Sequence, residues 1–174
     1  ITGALTFTAN AAAGQSQTVT MNDTANLSAA SITMPATTST GTATITCASG
    51  ATGTLTVSGL ISITGSGTAS GGTSKIDFGT NSTACNFTTG TLKVAGGSTG
   101  TALVQMGTGT IDINGTVTFG TSGNAARSQF TTGAATIQLD GVTFGANGTL
   151  SIASATVNTT GTSAINGAYT LPNL

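Results

Sequence analysis

TIDINGTVTFGT (Thr110–Thr121) and TIQLDGVTFGA (Thr136–Ala146) are near copies, and the reading of their centres decides the fold. In each, two short alternating runs flank a dipeptide, Asn114-Gly115 or Asp140-Gly141. Alternation of apolar and polar residues marks a strand, because successive side chains leave opposite faces of a pleated backbone. Asn-Gly and Asp-Gly supply the positive φ angles of a two-residue type I′ turn, the strongest short-range hairpin signal. The two copies therefore read as hairpins, and Asn147-Gly148 and Asn166-Gly167 repeat the device. Phe78-Gly79, Phe119-Gly120 and Phe144-Gly145 close strands alike, with a ring for the core and a glycine for the bend. An antiparallel meander is expected for this half.

A second period competes with that reading. GTLTV, GTSKI, GTLKV and GTIDI begin at Gly53, Gly72, Gly90 and Gly109, 18 or 19 residues apart, and GTLSI follows at Gly148. Such spacing is what the rungs of a parallel β-solenoid would give. The longer last interval holds a hairpin signal, and the first fifty residues lack the unit. The expected fold is therefore an all-β, antiparallel immunoglobulin-like or jelly-roll-type β-sandwich, with a parallel β-solenoid as the alternative.

Earlier in the chain, Gln17 to Met21, Ala30 to Met34, Thr42 to Cys47, Gly53 to Ser58 and Leu60 to Thr64 read as strands rich in β-branched residues. Pro35 ends the second of these by removing a donor. No window carries helical periodicity over a useful length. Gly65 to Gly72 is the most flexible stretch by composition, and is read as a loop tip or an internal boundary near 65–72.

At the start, Ile1, Gly3, Leu5, Phe7 and Ala9 share one parity, and Thr2, Thr6, Thr8 and Asn10 share the other. This alternating strand has no hairpin partner close behind it; Ala11 to Gln17 reads as an uncharged tether. Two units follow: residues 1–17 as strand and tether, and residues 18–174 as the sandwich.

Only 4% of residues are charged, against roughly a quarter in ordinary soluble domains. With a net charge of −1 there is no electrostatic footprint for nucleic acid, and no repulsion to keep copies apart. The chain contains no His and no Glu. A Ser or Cys nucleophile therefore lacks its usual base, and four scattered Asp residues offer no clustered calcium loop. Gly-rich segments lack the lysine of a phosphate loop. Neither an enzyme, a cofactor nor a small-molecule substrate is expected.

Cys47 and Cys85 can form a disulfide, stabilising by roughly 4 kcal/mol in an oxidising compartment; the other reading is two buried reduced thiols. Asn22, Asn26, Asn81, Asn86, Asn114, Asn147 and Asn158 each begin an Asn-x-Ser/Thr triplet and are candidate glycan acceptors, although a Thr-rich chain makes such triplets by chance. Thr-x-Thr pairs (Thr6/Thr8, Thr18/Thr20, Thr54/Thr56, Thr116/Thr118) would make a flat hydroxyl array, as in ice-binding solenoids, if they stood in register on one face.

The Thr/Gly/Ala-rich strands, the scarcity of charge, the single disulfide pair and the tethered first strand resemble secreted bacterial pilus and fibril subunits that assemble by donor-strand exchange. The resemblance implies an extracellular, cell-surface homopolymer in which Ile1, Gly3, Leu5, Phe7 and Ala9 anchor the strand in a neighbouring copy. The start at Ile1 rather than Met fits a leader removed on secretion. The alternative class is a binding module: a carbohydrate-binding or adhesin domain, or a Thr-rich ice-binding solenoid.

Overall fold

In a computed structural model the described residues are 1–8, 14–36, 40–66, 71–79, 84–120, 127–140, 142–144, 148–152, 155–160, 162 and 164–165. The strands follow as coils. β1 (Ala4–Thr6) precedes a coil of β2 (Ser16–Met21), β3 (Leu27–Ala29) and β4 (Ser31–Met34). Next come β5 (Thr42–Cys47) with β6 (Thr54–Thr64), and β7 (Thr73–Phe78) with β8 (Asn86–Ala95). Three more coils hold β9 (Thr101–Met106), β10 (Thr110–Ile113) and β11 (Val117–Phe119); β12 (Ser128–Thr132), β13 (Thr136–Leu139) and β14 (Val142–Phe144); and β15 (Thr149–Ser151), β16 (Thr156–Thr159) and β17 (Ala164–Ile165).

Every pairing among these strands is parallel. One sheet has six strands in the order β15-β12-β9-β7-β5-β2. The other has eleven and divides into two ladders, because β6 carries a register shift between Val57 and Leu60. On one side of that break β3, the first half of β6, the first half of β8, β10, β13 and β16 stack. On the other, β1, β4, the second halves of β6 and β8, β11, β14 and β17 stack. The chain is thus a parallel β-solenoid, and the antiparallel immunoglobulin-like or jelly-roll-type sandwich is overturned.

The hairpin signals fail for a local reason. Among the described residues only Asp23, Gly14, Gly50, Gly71 and Gly120 have positive φ, so Asn114-Gly115 is not a type I′ turn. It is the corner at which the chain passes from one ladder to the next. A Cβ on Gly115 would run into the carbonyl of Gly90, and one on Gly90 would lie 2.6 Å from the carbonyl of Ser58. Glycine is needed there because one corner rests on the backbone of the corner beneath it. The near copies do not fold onto themselves. They lie on each other, with Thr110 beside Thr136, Ile111 beside Ile137 and Val117 beside Val142. Gly141, residues 145–147 and Asn166-Gly167 lie outside the described residues.

The Gly-Thr units are not rungs either. GTLTV and GTIDI fall on one ladder, GTSKI on the six-stranded sheet, and GTLKV on the third ladder. The true offset between stacked positions ranges from 32 residues (Leu55 to Phe87) to 20 (Thr136 to Thr156).

The inward residues form columns along the coil. Leu55, Phe87, Ile111 and Ile137 stack on one ladder, Ile32, Ile61, Leu92 and Val117 on the next, and Ile45, Ile76, Val104 and Phe130 in the six-stranded sheet, all buried. Each such side chain contributes about 1.5–3 kcal/mol on burial, and none finds that shelter without the coil above or below. Phe119 and Phe130 meet edge to face with centroids 6.3 Å apart. At the coil edges, Asn26 Oδ1 accepts from the N–H of Thr54 at 2.8 Å, and Asn86 Oδ1 from that of Thr110 at 2.9 Å.

One inward position is polar without a partner. The Thr132 hydroxyl is buried and unsatisfied, in line with Met106 on the neighbouring strand. An unmade buried hydrogen bond carries its full desolvation penalty. Thr132→Val, which keeps the shape, should raise unfolding stability by about 1 kcal/mol in urea denaturation. An unchanged or lower midpoint would show that the hydroxyl is satisfied in solution.

The first strand also needs correcting. Ala4, Leu5 and Thr6 of β1 pair with Ser31, Ile32 and Thr33 of the same chain. Leu5 packs on the core, Phe7 is buried, and the Phe7 N–H donates to the Thr33 carbonyl at 2.9 Å. The strand is satisfied within its own solenoid, which removes the basis for donor-strand exchange. Gly3 gives its carbonyl to the Ala30 N–H, Ile1 remains exposed, and Ala9 lies outside the described residues. The expected tether is shorter than read, because β2 already begins at Ser16. The stretch 65–72 connects β6 to β7, and its residues 67–70 lie outside the described residues.

Candidate functional site

What the solenoid offers a partner is its outward columns, fixed by strand register. On the six-stranded sheet, β2 and β5 set Ser16, Thr18 and Thr20 beside Thr42, Thr44 and Thr46. The intervening Val19, Ala43 and Ile45 point toward the core, so these six hydroxyl side chains share the opposite face. Neighbours stand about 4.8 Å apart across the strands and about 6.7 Å apart along them. The β2 hydroxyls are exposed; on β5 Thr42 and Thr46 are half-buried and Thr44 is buried at 7%, and Thr46 Oγ1 donates to the Asp77 carbonyl at 2.8 Å.

The third strand closes this grid. Thr73 continues the first column, but Lys75 and Asp77 occupy the other two and pair at 2.8 Å. Asp77 is only 3% exposed and also accepts the Gly79 N–H. The pair leaves no net charge on the face. Of the Thr-x-Thr pairs expected to align, Thr18/Thr20 gains a matching pair, Thr44/Thr46. Thr6, Thr54/Thr56 and Thr118 lie on the other two ladders, so those pairs do not join it.

Neither family models, nor curated proteins, nor solved structures give a match to this chain.

Cys47, at the end of β5, and Cys85, just before β8, form a disulfide with Cα atoms 6.7 Å apart. It clamps consecutive coils. Of the candidate glycan acceptors, Asn22 sits in an exposed turn, Asn26 and Asn86 spend their carbonyl oxygens on the coil edges, and Asn114 Nδ2 donates to Asp112. Asn158 is exposed on β16, and Asn81 and Asn147 lie outside the described residues.

A polar groove went unread in the sequence. Asp112, Gln138 and Asn158 are in register on β10, β13 and β16. Just past the strand ends, Asn114, Asp140 and Thr160 form a second column, their N–H groups bonded to the carbonyls of Thr89, Ile113 and Leu139 in the coil before. Between the columns lies a cavity of about 400 Å³, lined also by Ile113 and Leu139. The near-copy relation of 110–121 to 136–146 was the available signal, but it points to a groove only once the copies are stacked.

Proposed function

We propose that this chain is a non-catalytic, extracellular binding solenoid whose contact surface is the exposed Ser16–Thr18–Thr20 row of β2, backed by the hydroxyls of β5, and whose ligand is ordered water at an ice surface. The observation that carries this reading is the register of Thr18 and Thr20 on Thr44 and Thr46. A rigid ladder holds the hydroxyls and methyls at fixed spacing, so little side-chain freedom is lost on contact. Low overall charge supports the same reading, because ammonium and carboxylate groups hold tightly bound hydration of their own. An oxidising, extracellular setting agrees with the disulfide.

The test is uptake of the purified protein into a slowly growing ice front, together with thermal hysteresis. The wild type should enter the ice and the Thr18→Lys/Thr20→Lys variant should be largely excluded. Both positions are exposed, so stability should change by no more than about 0.5 kcal/mol per site. Exclusion of the wild type at the level of an inert control protein would end this reading.

A second reading, a homopolymer built by stacking solenoids end to end, is favoured by one observation. β2 is the terminal strand of its sheet and carries neither charge nor proline, the usual guards of an exposed edge. Electron microscopy of concentrated protein should then show rods of variable length. Monodisperse particles of monomer size would count against it.

A further inference from the structure

We infer that the groove between the Asp112–Gln138–Asn158 and Asn114–Asp140–Thr160 columns is a binding site for a neutral or amino-bearing sugar, separate from the hydroxyl grid. Three consecutive coils each place an oxygen-bearing side chain at the same two positions, 112 and 114, 138 and 140, 158 and 160. In the coil below, Thr88 keeps a hydroxyl at the first position but Gly90 carries no side chain at the second, so the double column ends there.

The lining chemistry selects the ligand. Two carboxylates accept hydrogen bonds, three amides both donate and accept, and the Thr160 hydroxyl does either. A polyol supplies many hydroxyls that can satisfy both kinds of partner. Neither Lys nor Arg lines the groove, so an acidic sugar or phosphate would meet two carboxylates without a counter-charge. An ammonium group on an amino sugar would be welcomed by them.

Size points the same way. About 400 Å³ falls in the range of small-molecule pockets, whereas a calcium ion needs six to eight oxygens closed around it at about 2.3–2.6 Å. Asp112 and Asp140 are also each engaged already, with Asn114 Nδ2 at 3.3 Å and Thr160 Oγ1 at 3.4 Å. The first bond joins the two columns within one coil, and the second runs along one column between coils. Among the described residues the groove is lined by hydrogen-bonding side chains and no aromatic ring, so single-site affinity should be in the weak range typical of exposed polar sites.

The experiment is a glycan array of neutral, amino and acidic oligosaccharides with the full chain, followed by NMR titration with the best soluble hit. Binding to neutral or amino-sugar spots is expected, with amide shifts centred on residues 112–114, 138–140 and 158–160. Gln138→Ala and Asp140→Asn should each weaken it at least tenfold while the unfolding midpoint is retained. The Thr18→Lys/Thr20→Lys variant should bind unchanged, which separates this site from the hydroxyl grid. The inference is overturned by an array with no binding above background, by preference for acidic glycans, or by groove variants that bind like wild type. It is equally overturned if calcium chloride alone titrates these residues and no oligosaccharide does.

Discussion

Phe87→Ala should cost about 3–5 kcal/mol of unfolding stability, the range for an aromatic removed from a closed core. Phe87 is fully buried at the middle of its column, with Leu55 on one side and Ile111 on the other. Both neighbours belong to other coils, so the lost ring opens a void that neither β8 nor its loops can collapse alone. In a stacked architecture each coil is stabilised mainly by its nearest neighbours. The damage should therefore spread as a local loosening of β6, β8 and β10 before the whole chain unfolds. Urea denaturation gives the magnitude, and hydrogen exchange shows where the protection is lost. A change below about 1 kcal/mol would mean that the ring is not enclosed between coils.

Loss of the disulfide should be of similar size. Cys47 and Cys85 are 38 residues apart, and the chain-entropy relation assigns closure of such a loop about 4 kcal/mol at 25 °C. The clamp ties β5 to the start of β8 and encloses β6 and β7, the central part of the described stack. Cys47→Ala/Cys85→Ala, or reduction by dithiothreitol, should therefore lower the denaturation midpoint markedly. Gln138 and Asn158, two and three coils beyond Cys85, should keep their exchange rates under mild conditions, because coupling in solenoids is short-ranged. Equal stability with and without reductant would show that the thiols are not bridged.

Much of the secondary structure was legible because alternation is a local property. The runs at Gln17 to Met21, Thr42 to Cys47 and Leu60 to Thr64 are strands or parts of strands, as their period requires, and that at Ala30 to Met34 is one from Ser31 on. Strand direction was not legible, since parallel and antiparallel neighbours demand the same alternation. Asn114-Gly115 looked decisive and misled, because the dipeptide serves a solenoid corner as well as a hairpin turn. What separates the two is the φ angle and the carbonyl of Gly90 pressed against Gly115, and neither is written in the dipeptide. Unequal coil lengths hid the true period as well. The 18–19-residue Gly-Thr spacing arises from strands on different ladders, whereas stacked positions are 20 to 32 residues apart.

The candidate sites follow the same logic. Thr18 and Thr20 were visible as a pair, but Thr44 and Thr46 became their partners only through the β2–β5 register. Asp112 and Asp140 are far apart in sequence, their clustering was legible only as a possibility of the near copies, and they share a groove because β10 lies on β13. The first strand shows the converse. Leu5 and Phe7 of its alternating pattern do face the core, whereas Ile1 is exposed, and its missing hairpin partner was taken as a sign of exchange between copies. In a solenoid no strand pairs with its sequence neighbour in the same coil, so β1 finds β4 one coil later.

The parallel coil itself is tested most directly by backbone nuclear Overhauser contacts around Asn114-Gly115 in isotopically labelled protein. Parallel stacking predicts Hα-to-amide contacts linking Thr110–Ile113 to Thr136–Leu139, and Val117–Phe119 to Leu92–Val94. No Hα–Hα contacts should cross between Thr110–Ile113 and Val117–Phe119. A set of such Hα–Hα contacts across Asn114-Gly115 would establish a hairpin there and contradict the solenoid.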